Sequence, residues 1–128
     1  MPVQWTVSHP NRLVVAVAEG RVAPADIERY FAGITANGAM AYRKIFEITG
    51  APAALDEANL KALGERVIYY AQHGQMGPVA IVAASDESFA QAQIFAAAAK
   101  VRRPLQIFRE QHAARQWLDA QPLPPQVE

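Results

Sequence analysis

The sequence predicts an α/β domain in which an N-terminal β-hairpin leads into a mostly parallel five-stranded sheet flanked by four helices. Three observations carry this expectation. Two strand-like runs separated by Pro10 and Asn11 open the chain. Apolar runs then alternate with segments of helical periodicity, and such alternation implies parallel strands joined by right-handed crossovers. One run, GPVAIVAAS at residues 77–85, is apolar without alternation, the pattern of a strand covered on both faces.

Residues 4–9, QWTVSH, alternate enough for an edge strand, and RLVVAVAEG at residues 12–20 is a richer β-branched run that completes the hairpin. Pro24 suits the first turn of a helix whose apolar positions are Ile27, Tyr30, Phe31 and Ile34; Asn37 and Gly38 stop it. YRKIFEITG at residues 42–50 returns to strand character, with Tyr42, Lys44, Phe46 and Ile48 on one face and Arg43, Ile45 and Glu47 on the other. Lys44 is expected near the start of this strand, with its amine in water. Asp56 can cap a second helix with a buried stripe of Leu60, Leu63, Val67 and Tyr70 or Ala71, closed by Gly74. A third helix is expected from Asp86 to about Lys100, a last short strand in LQIFR after Pro104, and a last helix over residues 110–119 carrying Trp117 and Leu118. Residues 1–120 read as one domain, with a flexible proline-rich tail at 121–128.

The bulk properties narrow the function classes. A chain of 128 residues suits one core. Twelve Lys plus Arg balance twelve Asp plus Glu, so no net field favours nucleic acid or an anionic membrane. Without cysteine there are no disulfides, thiolate metal sites or thiol nucleophiles, which fits a reducing compartment and a cytoplasmic location. No secretory leader and no apolar run long enough to span a membrane is visible. The expected protein inserts in no membrane and binds no nucleic acid.

The element order resembles the STAS-like fold of anti-sigma factor antagonists and the SpoIIAA-like group of small bacterial proteins, over residues 3–119. Phe46, Glu47, Ile48, Thr49 and Gly50 are similar to the leucine, aspartate, leucine, serine, glycine run that ends the antagonists' third strand. Asp56, Glu57, Ala58 and Asn59 correspond to the antagonists' aspartate, serine, serine or threonine, and glycine, where a hydroxyl is the phosphorylation switch. The aspartate is kept and the hydroxyls are not. The resemblance therefore implies a protein-interaction or regulatory domain without the phosphorylatable serine. The fold is also compared with CRAL-TRIO lipid-binding domains, which implies an alternative: a binding protein for a small apolar or amphipathic ligand.

Candidate positions follow from the crossover geometry, because open parallel sheets bind ligands beyond the carboxyl ends of their strands. Glu47, Thr49, Gly50, Asp56, Glu57, Asn59, Ser85 and Arg109 are the rim residues expected to meet a protein partner or ligand. Ser85 and Asp56 are each explained as ordinary helix caps. Glu47 is expected in a salt bridge or exposed at the strand end. Tyr69 and Tyr70 could line a pocket, and the basic run KVRRP at residues 100–104 is expected to complement a helix C-terminus in solvent. His9, His73 and His112 have no metal-ligand spacing, and no nucleophile elbow surrounds a serine. No cofactor, no metal and no catalytic residue is expected, and the chain reads as no enzyme. The third helix is apolar on its outer side too, at Ala90, Ile94 and Ala98, which predicts a homodimer contact there.

Overall fold

The computed structural model describes residues 2–49 and 55–122. Along them run β1 (Val3–Ser8), β2 (Leu13–Glu19), α1 (Pro24–Ala36), β3 (Arg43–Thr49), α2 (Glu57–Ala71), β4 (Val79–Ala83), α3 (Asp86–Ala98), β5 (Leu105–Phe108) and α4 (Gln111–Asp119). The expected hairpin and all four helices are present.

The sheet order is sequential, β1-β2-β3-β4-β5, with β1 antiparallel to β2 and every other pair parallel. That order has a direct consequence. Each crossover steps the same way across the sheet, so crossovers of one hand must stack their helices on one face. Accordingly α1 packs on β1, α3 packs on β4 and β5, and α2 lies against both α1 and α3. Only α4, which follows the last strand, folds onto the opposite face over β3, β4 and β5.

Strand alternation then sorts the cores. Val14, Ala16 and Ala18 of β2 meet Ile34, Leu63 and Val67 beneath the three helices. Val79, Ile81 and Ala83 continue that layer against Ala92 of α3. Their neighbours Ala80 and Val82 point the other way, joining Ile45 and the Ala114 and Leu118 stripe of α4. All five residues of β4 are thus buried, which accounts for its continuous apolar run.

Helix ends follow local chemistry. The Ala23 backbone amide donates to the Asp26 carboxylate at 2.8 Å, so an acid inside the first turn replaces the missing cap side chain of α1. Two helices stop earlier than expected: α2 ends at Ala71 rather than at Gly74, and α3 ends at Ala98 because Ala99, at φ −90° and ψ 47°, leaves the helical region.

The α2–α3 contact corrects the reading of the third helix. A Cβ built on Gly64 would lie 2.5 Å from that of Ala98. Ala98 therefore packs against α2 and is only partly exposed, as Ile94 is, while Ala90 is exposed. Small residues at 64 and 98 let the two helices approach closely.

Candidate functional site

Because β2 to β5 are parallel, the starts of α1, α2, α3 and α4 all lie on one edge of the sheet. Candidate positions Thr49, Asp56, Glu57, Asn59, Ser85 and Arg109 lie along that edge. Arg109 joins two of its junctions: its guanidinium donates to Asp86 at 2.9 Å and to the Ala84 carbonyl at 3.2 Å, and it stacks 4.2 Å over the Phe89 ring. Ser85 accepts from the Ser88 amide at 3.1 Å and pairs with the Ser88 hydroxyl at 2.7 Å. Asp56 accepts from the Asn59 amide at 2.8 Å while the Asn59 side chain accepts from the Asp56 amide at 3.2 Å. Both positions act as helix caps. Glu57 pairs with Lys61 at 3.2 Å on the exposed side of α2. Thr49 donates to the Ala18 carbonyl at 3.4 Å, and Glu47 is partly exposed on the α4 face of β3. Gly50 lies outside the described residues. At α2 and α3 the described rim residues are thus helix caps satisfied by local bonds.

The feature with binding potential lies beneath it. Between the sheet and the three helices runs a cavity of about 100 Å³, following β3 from Lys44 past Phe46 to Ile48. Its walls are apolar, among them Ala18, Ile34, Leu60, Leu63, Ile81 and Phe95. Among the described residues, four polar side chains reach it: Tyr30, Lys44, Gln91 and Arg103. Gln91 belongs to the rim end, where its side-chain amide donates to the Leu55 carbonyl at 3.2 Å. Lys44 stands at the other end, where β3 begins.

Lys44 corrects an expectation. Its side chain shares the Phe46 and Ile48 face as alternation requires, but it is only 2% exposed, and its amine donates to the carbonyls of Met40 and, at 2.9 Å, Tyr42. Those carbonyls end the loop before β3 and substitute for water. Burial drives the Lys44 pKa well below 10.5, and the nearby Arg103 charge pushes it the same way.

Arg103 is the second correction. KVRRP was expected to be a solvated basic run, yet only part of it is exposed; the Arg103 side chain turns inward, lines the cavity, and leaves its Nε buried with no hydrogen-bond partner. Burial lowers its pKa to about 10, partly offset by Tyr30, so it stays cationic at neutral pH. Tyr30 is pushed upward by burial, with Arg103 opposing. Its ring sits 5.4 Å from Phe46 and 5.6 Å from Trp5, edge-on to both.

Tyr69 and Tyr70 do not line this cavity. Tyr70 packs on Phe31 at 5.9 Å, and Arg66 lies 4.8 Å over the exposed Tyr69 ring. His9 bonds the Tyr42 hydroxyl at 2.7 Å, and no cluster of three or more His, Asp or Glu capable of holding a metal occurs among the described residues. No described helix is long and apolar enough to cross a membrane.

Alternation did place Lys44 on the cavity face, so that signal was readable; its burial was not. For Arg103 no periodic pattern marks the inward turn, because residues 99–104 form no regular element. The chain matches no family model, and no curated protein or solved structure matches it.

Proposed function

We propose that this domain is a binding protein for a small amphipathic molecule, held in the cavity between the sheet and α1 to α3. The observation that carries the reading is the cavity itself. Protein interiors close-pack and leave few voids larger than a water. At roughly 24 cal/mol per Å³, leaving about 100 Å³ unfilled costs about 2 kcal/mol that a tighter core would recover. An engineered cavity of about 150 Å³ is enough to take up benzene. Apolar walls with a few polar groups are also the usual composition of a small-molecule site.

The alternative, a STAS-like protein-contact domain lacking the phosphorylatable serine, has less to draw on. At the start of α2, Asp56 and Asn59 are engaged with each other's backbone amides and Glu57 with Lys61.

The binding reading is tested with 1-hexanol as probe, followed by amide NMR of the full chain. Saturable shifts at Ala18, Phe46 and Ala92 are expected. In Ala92→Leu, which fills the cavity from α3, they should vanish while circular dichroism still shows the native fold. Shifts confined to surface residues, or unaltered in Ala92→Leu, would overturn the reading. Native mass spectrometry of freshly purified protein adds an independent arm, since a retained small molecule released by Ala92→Leu would identify the natural occupant.

A further inference from the structure

We infer that the occupant is a short-chain carboxylate, its head group seated between Arg103 and Lys44 and its apolar tail running along β3 towards Ile48. This inference rests on the cavity being a binding site.

The charge arrangement points to an anion. Two basic side chains reach the cavity, and none of its described lining residues is acidic. Buried charges in proteins are normally paired, because a low-dielectric surrounding leaves an isolated ion without the solvation it had in water. Here the only described group with anionic potential beside Arg103 is the Tyr30 phenol, and burial holds that phenol in its neutral form. Arg103 is half-buried rather than sealed from water, but no described acidic side chain lines the cavity beside it.

Unused hydrogen-bonding capacity lies at the same place. The Arg103 Nε is buried and unpartnered. A guanidinium presents Nε–H and Nη–H as a planar fork that matches the two oxygens of a carboxylate. Lys44 spends two N–H groups on the Met40 and Tyr42 carbonyls. In the ammonium form a third remains, and an arriving anion would give it a partner.

The rest of the cavity selects the tail. Past Phe46 the walls are apolar, and Lys44 to Ile48 spans about 13 Å of strand. A volume of about 100 Å³, smaller than the roughly 150 Å³ that takes up benzene, excludes long fatty chains and leaves room only for a short tail. A hydrated dianion such as inorganic phosphate would leave that apolar length empty.

Hexanoate, 1-hexanol and inorganic phosphate, titrated into the full chain by calorimetry, separate the possibilities. Hexanoate should bind about tenfold or more tightly than 1-hexanol, the advantage of a charge-assisted pair. In Arg103→Met that advantage should fall below about threefold with 1-hexanol affinity unchanged. Equal binding of the acid and the alcohol would overturn the carboxylate inference and leave the binding reading standing. So would an advantage that survives in Arg103→Met, or phosphate binding as tightly as hexanoate. If neither hexanoate nor 1-hexanol binds, the binding reading falls as well. Should Arg103→Met fail to fold, the wild-type Arg103 Nε–H resonance decides: it should shift with hexanoate and not with 1-hexanol, and an unmoved resonance would overturn the assignment.

Discussion

The Lys44 amine donates to the Tyr42 carbonyl at 2.9 Å, so a lysine two residues ahead in the chain replaces the water that would otherwise solvate the loop before β3. Its cost depends on pH. In the unfolded chain Lys44 titrates near 10.5, whereas in the fold burial, then Arg103, drive its pKa well below that. Below the folded pKa both states hold the proton and the full penalty of burying an ammonium is present. Between the folded pKa and 10.5 the unfolded chain binds the extra proton, so stability rises with pH.

Urea unfolding of wild type and Lys44→Met from about pH 7 to about pH 9.5 measures this linkage, which is bounded at about 1.4 kcal/mol per pH unit for one proton. Wild type should gain on the variant as pH rises through that window. A flat difference would mean that Lys44 keeps its proton in the fold. Stopping short of pH 10 avoids ionising unfolded tyrosines.

The α2–α3 contact makes a separate prediction. Gly64→Ala adds helix propensity worth up to about 1 kcal/mol, but its methyl must enter the space of Ala98, and overpacking a core costs about 1–3 kcal/mol. A net loss of about 1–2 kcal/mol is expected in chemical denaturation. Ala98→Gly in the same chain should restore only a small part of the loss, because the Ala98 carbonyl carbon and the Ala99 nitrogen also lie 2.8 and 2.9 Å from the added methyl. Full recovery would show that the Ala98 side chain is the whole obstacle.

How much of this was legible in the sequence divides by the range of the forces involved. Alternation and periodicity are local, and they gave the hairpin, the covered strand β4, and the faces of β3 with Lys44 beside Phe46 and Ile48. Cap chemistry is local as well, so Asp56 and Ser85 were readable as helix starts. The sequential strand order was not readable, because it depends on which edge each strand joins. Arg103 turned inward for a reason that lies in tertiary contacts: from the irregular stretch 99–104 its side chain reaches the cavity wall that Tyr30 and Lys44 also line. Ala98 was misplaced because a 3.6-residue period gives the faces of a helix but not which neighbour, here Gly64, will press against one of them.

The caps can be weighed against a ligand role at the rim. Ser85→Ala should cost about 1 kcal/mol through loss of the bond to the Ser88 amide, and Asp56→Ala about the same through the Asn59 amide. Asp56→Ser, which keeps an acceptor, should recover most of the loss in thermal unfolding. If these residues act only as caps, 1-hexanol affinity should be unchanged in Ser85→Ala at a temperature where both proteins are folded. A specific loss of affinity would give the rim a role in binding.

Arg109 makes the last prediction, because its three contacts differ in kind. The Asp86 carboxylate at 2.9 Å is almost fully exposed, so Asp86→Asn should leave stability unchanged within error, as for other solvated ion pairs. Removing the guanidinium in Arg109→Ala also takes away the Ala84 carbonyl's donor and the cation over Phe89, and should cost about 1 kcal/mol. Arg109→Lys keeps the charge but loses the planar fork, so an intermediate loss is expected if stacking and directed donation both contribute. Unfolding measured in low and high salt separates them: the Arg109→Ala loss should persist in high salt. If it disappears there, the Asp86 ion pair carries the interaction and the ring contact carries none of it.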